Sequence, residues 1–154
     1  MATFTLIHVL LSVVGILAGG VVVGGLIANR RLTGWTEIFL VTTAATSGTG
    51  FGFQSAELLP SHIFGALSLI ILALVMYALY GKGLEGRWRK IFGIGSVAAL
   101  YLNVFVLLVQ LFLKVPAMTE LAPTQQEAPF LMTQLLCLAI FVSLGRSVSA
   151  RFRN

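Results

Sequence analysis

A chain of 154 residues with 58% hydrophobic and 10% charged side chains, at a mean hydropathy of +0.99, is far more apolar than a soluble domain, where roughly 25% of residues are charged. That composition excludes a water-soluble enzyme. Despite the net charge of +5 it also argues against a nucleic-acid partner, because in so apolar a chain the cations serve membrane topology.

Crossing about 30 Å of hydrocarbon takes a helix of about 20 apolar residues. Five segments qualify, at about 4–28, 35–53, 62–80, 89–113 and 129–147. The fold class read from them is all-α, a single integral membrane bundle of five transmembrane helices over residues 1–154. Short connectors punctuated by Pro and Gly separate the spans.

The first segment, "FTLIHVLLSVVGILAGGVVVGGLIA", exceeds the apolar core of a signal peptide and has no Lys or Arg before it, so it reads as a retained helix. It carries His8 near its start. Gly15, Gly19, Gly20 and Gly24 supply two G-x-x-x-G spacings, the pattern that lets membrane helices approach closely. They serve packing within the bundle, a homo-oligomer or a membrane-protein partner.

The second segment ends in "TTAATSGTGFGF", where eight of twelve residues are Thr, Ser or Gly. Thr42, Thr46 and Thr49 form a stripe, with Ser47 beside it. Such hydroxyls either bond their own i−4 carbonyls or line a pocket. The T-G-F-G run resembles a potassium filter only superficially: a filter needs a re-entrant loop, whereas this segment has to cross the membrane to keep the charge pattern intact.

His62 opens the third segment, just after Glu57. In the fourth, Asn103, Gln110 and Lys114 lie within about 40° on one helical face, so the stripe should avoid lipid and face the interior. Thr133, Gln134 and the only cysteine, Cys137, fall in the fifth. A single cysteine excludes an intrachain disulfide and a thiolate metal cluster.

The cations sort by connector. Arg30 and Arg31 lie in the first, Lys82, Arg87, Arg89 and Lys90 in the third, and Arg146, Arg151 and Arg153 at the end of the chain, while Lys114 alone occupies the second and fourth. The positive-inside rule then puts the N-terminus outside and the C-terminus in the cytoplasm. Glu57, Glu120 and Glu127 become external. Trp35 and Trp88 fall at inner interfaces, where amphipathic rings are favoured.

Depth follows from topology. The polar side chains collect in the outer half and the inner half is almost purely apolar, which suggests an outward-facing polar pocket built from Thr46, Ser47, Thr49, Asn103, Gln110, Lys114 and Gln134. A small solute or a lipid would bind there, or the protein would act as an accessory subunit of a membrane complex. Two alternatives stay open: a small transporter or oligomeric channel, and a haem- or quinone-binding redox protein with His8 and His62 as axial ligands, or a metal held with Glu57. No ionisable residue at mid-depth suits a proton relay, and no Ser-His-Asp set, carboxylate pair within a span or Gly-rich phosphate loop marks an enzyme, which would need Glu57, His62 and Lys114 to converge at the outer face.

At "VTTAATSGTGFGF" and "LYLNVFVLLVQLFLKVPAMTELAPTQQEAPF" the chain resembles uncharacterised small five-span inner-membrane proteins of proteobacteria. The resemblance covers most of the chain and implies the same layout in a bacterial inner membrane. It implies no activity, cofactor or catalytic residue.

Overall fold

A computed structural model describes residues 2–52 and 60–153. The described residues form helices joined by short turns, with no strand among them: α1 (Ala2–Ile27), α2 (Thr33–Gly50), α3 (Pro60–Met76) extended by a π turn (Tyr77–Gly81), α4 (Arg87–Lys114), the short α5 (Pro116–Leu121) and α6 (Ala128–Arg151). Four stretches are long and apolar enough to cross a membrane: Thr3–Ile27, His62–Gly81, Arg87–Lys114 and Ala128–Arg151. The 18-residue α2 is not in this group. Its Thr, Ser and Gly content is the reason.

The bounds expected from apolarity shift where local chemistry extends a helix. Polar Thr33 and Gly34 join α2 because the carbonyl of Leu32 accepts from both the N–H and the hydroxyl of Thr36. The last span runs on to Arg151 rather than stopping near residue 147. The turn before α4 uses left-handed backbone at Gly83 and Gly86 (φ +57° and +53°), a conformation that glycine takes without a Cβ penalty.

Close approaches reveal the register. α1 and α2 run antiparallel from end to end: Gly25 faces Leu32, Gly15 faces Thr42 and Thr43, and His8 pairs with Thr49. α2 runs parallel to α4, through Thr43 and Asn103. α3 is antiparallel to α4, where Val75 meets Gly95 and Phe64 meets Phe105. α6 is antiparallel to α4 as well, through Val148 and Gly93, Tyr101 and Phe141, and Phe112 and Phe130. The bundle therefore has a histidine end, carrying His8 and Lys114, and an arginine end, carrying Arg30, Arg89 and Arg153.

The main core sits toward the arginine end, where Leu26, Phe39, Val75, Phe92, Val148 and Phe152 are buried together. A small second cluster, Phe112, Ala122 and Phe130, closes the other end beneath α5. Outside, large apolar side chains point away from the protein, among them Leu17 (65% exposed), Ile70 (67%) and Met132 (68%). A continuous apolar exterior of this kind requires a lipid or protein covering.

In lipid the hydrophobic effect does not drive helices together, so close packing and interhelical hydrogen bonds must. Gly19 is one such close contact. A Cβ there would lie 2.7 Å from Leu100 Cδ1 and 2.8 Å from the Phe39 ring, so the missing side chain lets α1, α2 and α4 meet at one point. Gly20 and Gly24, by contrast, have no atom within 4 Å of an added Cβ. Of the two G-x-x-x-G spacings, the one through Gly15 and Gly19 is used inside the chain, and the one through Gly20 and Gly24 faces out.

Candidate functional site

The hydroxyls of α2 divide by partner. Thr36 donates to Leu32 O at 2.9 Å, Thr42 to Ile38 O at 2.6 Å and Thr49 to Ala45 O at 2.7 Å. These three satisfy themselves along their own helix, the ordinary behaviour of a membrane hydroxyl. Thr43 makes no such bond among the described residues and bridges to α4, accepting from the Asn103 side-chain amide at 3.2 Å. Gly15 opens the space for that contact, since its Cβ position lies only 3.3 Å from Thr43 Oγ1.

Next toward the histidine end come Thr46 and Ser47, both buried. The Thr46 hydroxyl has no hydrogen-bond partner among the described residues. Across the bundle, Gln134 lies on the inward stripe of α6 with Phe130, Cys137 and Val148. It is 9% exposed, and neither atom of its amide has a partner among the described residues. Ser68 of α3 is in the same condition. Leaving such groups unpaired costs about 1–3 kcal/mol each, so this half of the bundle holds hydrogen-bonding capacity that its own side chains do not use.

At the histidine end, His8 Nδ1 lies 2.9 Å from Thr49 Oγ1. Because that hydroxyl already donates to Ala45 O, the consistent assignment is an N–H on His8 Nδ1 donating to it. His62 stacks on Phe51, with centroids 5.6 Å apart and planes 15° from parallel. Gln110 is half-buried and Lys114 is exposed at the end of α4, so the stripe turns inward at Asn103 and outward at Lys114. Among the described residues no three of His, Cys, Asp and Glu gather as a metal site; Glu57 lies outside the described residues.

The T-G-F-G run ends α2. Its N–H groups close the helix onto the carbonyls of Gly48 and Thr49, which leaves no carbonyl ladder facing an axis.

The connector after α4 folds back over this end. Thr119 donates to Phe112 O at 2.9 Å and the Gln125 side chain to Val109 O at 3.0 Å. Glu127 anchors its last turn, accepting from the Thr124 hydroxyl at 2.8 Å and from the N–H of Gln126 at 3.1 Å. Desolvation pushes the Glu127 carboxyl up, but hydrogen bonds from the Thr124 hydroxyl and from the N–H groups of Glu127, Thr124 and Gln126 outweigh it, and its pKa is lowered.

The arginine end differs. Trp88 packs edge-on against Tyr77 at 5.2 Å, and the Lys82 ammonium stands over both rings at 5.5 and 5.8 Å. Arg89 lies 4.1 Å over the Phe152 ring, and the Arg153 N–H donates to Asn29 Oδ1 at 3.2 Å, tying the end of α6 to the first turn. Between α4 and α6 a groove of about 570 Å³ opens at this end. Neither Gln134 nor any other expected pocket residue lines it.

Sequence reasoning missed two things. Thr43 is the partner of Asn103, and spacing along one helix carries no information about a partner on another. The α4/α6 groove went unseen because its cations were read as topology signals alone. The spacing of Arg146, Ser149, Ala150 and Arg153, one face of a helix, was the signal that could have found it.

Compared with known proteins, the chain matches no family model, no curated protein and no solved structure.

Proposed function

We propose that this protein is a five-span membrane protein of the bacterial inner membrane, N-terminus outside and C-terminus cytoplasmic, that works by binding rather than catalysis. The ligand is a small polar solute or a lipid headgroup, or a polar group of a membrane partner that the protein serves as accessory subunit. It is received in the polar half of the bundle by α2, α4 and α6. The carrying observation is the Gln134 amide, buried with both atoms unpartnered. Thr46, unpartnered as well, supports the same reading from α2.

The five-span layout draws support from α2. It pairs with α1 over its whole length, from Leu32 opposite Gly25 to Thr49 opposite His8. A helix of 18 residues reaches about 27 Å, close to the hydrocarbon thickness, and its neighbours shield its hydroxyl face. The orientation rests on the charge distribution, with the cation-rich turns gathered at one end.

The test is native mass spectrometry of the protein in mild detergent. The parent should retain a polar small molecule or a lipid, and Gln134→Leu and Thr46→Val should lose it while inserting normally. If both variants keep the same species at the same occupancy, the pocket is not there. Topology is checked separately in a Cys137→Ala background: Glu120→Cys should label from outside the cell and Glu85→Cys only after permeabilisation.

A further inference from the structure

The groove between α4 and α6 lies at the opposite end from the polar seam. Its α4 wall runs from Lys90 through Ile94 to Tyr101, and its other wall from Arg153, just past α6, through Arg146 and Val142 to Leu138. Gly145 deepens it, because an added Cβ there would stand 3.8 Å from Val97. From Lys90 to Tyr101 the groove is about 17 Å long at 1.5 Å per residue, which matches the roughly 15 Å of one leaflet in a core of about 30 Å. Ile94 (42% exposed) and Val142 (51%) open it sideways, toward where hydrocarbon would be.

The basic end of the groove runs into a smaller bowl of about 260 Å³, and the two share Lys90, Ser149 and Arg153. Arg89 adds a further cation to the bowl, steadied by the Phe152 ring beneath it. None of the described residues lining either cavity is acidic. Arg153 is also held in place, because its backbone N–H is tied to Asn29.

A largely apolar channel one leaflet long, with Arg146 on its wall and further cations and a hydroxyl at its end, and no carboxylate among its described lining residues to neutralise them, has the shape and charge of one kind of ligand. We propose that the α4/α6 groove is a selective seat for an anionic glycerophospholipid, its phosphate in the Arg89, Lys90 and Arg153 bowl and one acyl chain along the wall formed by Ile94, Tyr101 and Val142. Basic pockets between helices near a charged leaflet bind such headgroups. A free inorganic anion would use the bowl and leave the groove unused. The proposal rests on the chain lying in a bilayer, and depends neither on the polar seam nor on which end faces the cytoplasm.

The test equilibrates the intact protein in detergent with equimolar phosphatidylglycerol and phosphatidylcholine and reads retained lipid by native mass spectrometry, with inorganic phosphate as competitor. Phosphatidylglycerol should be preferred, and Lys90→Gln or Arg153→Gln should each lower the preference roughly fivefold. Arg151→Gln, next to Ala150 in the chain but outside the lining of both cavities, should leave it unchanged. Val142→Trp fills the groove from an exposed position outside the core and away from Lys90 and Arg153, and it should reduce retention of both lipids. Equal retention of the two lipids, indifference to Lys90→Gln and Arg153→Gln in folded protein, or indifference to Val142→Trp would overturn the proposal. Displacement by millimolar inorganic phosphate would overturn it too, by reducing the site to one for free anions.

Discussion

Toward the arginine end the bundle interior is filled by Leu26, Phe39, Val75, Phe92 and Val148, and its buried Ser96 hydroxyl returns to its own helix through Phe92 O at 2.8 Å. Toward the histidine end the same helices bury Thr43, Thr46, Ser47 and Gln134, and only the first has a partner on another helix. One half is closed by shape. The other is held by a few hydrogen bonds and has polar atoms to spare. In a bilayer, where apolar burial gives no advantage over lipid, shape fixes a single arrangement and spare polar atoms invite a guest.

The largest effect expected from this contrast is in the closed half. Gly19→Leu must displace Leu100 and Phe39, whose atoms stand under 3 Å from the new Cβ, and overpacking of this kind costs about 1–3 kcal/mol or more. Gly20→Leu, one residue away and facing open space, should be nearly neutral. Thermal unfolding of the two variants in detergent measures the difference. Similar midpoints would mean that α1 is rotated from the arrangement described here.

A smaller effect is expected at the junction of the halves. Asn103→Leu removes the bond to Thr43, worth about 0.6 kcal/mol on average inside membranes and about 1.7 at most. A double-mutant cycle with Thr43→Val should return a coupling of that size, and a zero coupling would break the link between α2 and α4.

The smallest effect concerns the connector. The carboxyl of Glu127 is depressed when folded, so its contribution is complete above the pKa of the unfolded chain and is lost as pH falls through the lower folded value. Hydrogen-exchange protection around residues 124–131, taken relative to the intrinsic rate at each pH, should therefore fall in that acid window, and Glu127→Gln should remove that loss of protection on acidification. The arginine end, whose turn carries no such carboxylate bond, should not respond.

Much of the bundle was legible beforehand because a long helix of apolar residues announces itself by hydropathy. The long helices α1, α3, α4 and α6 lie close to where apolarity puts them. α2 was harder, since its hydroxyls lower its apolarity below that of its neighbours, and its place depends on those neighbours covering it. The site was only partly legible. The inward turn of the α4 stripe is seen at Asn103, yet Lys114 at its end is exposed. Thr42 satisfies itself locally and Thr49 both locally and with His8 of α1, whereas Thr43, one residue off the expected stripe, makes the bond to α4.

The sequence by itself determined the helical class, the placing of the long apolar helices and the segregation of cations into particular turns, because hydropathy and charge are properties of local segments. Tertiary structure alone decided which glycines are used inside the chain, which hydroxyl answers Asn103, and that Gln134 is left unpaired. It also decided that Lys90 and Arg153, more than 60 positions apart in the numbering, line one groove. Each of these depends on rotation about a helix axis and on what the neighbouring helix brings to the same depth, and no single segment encodes that.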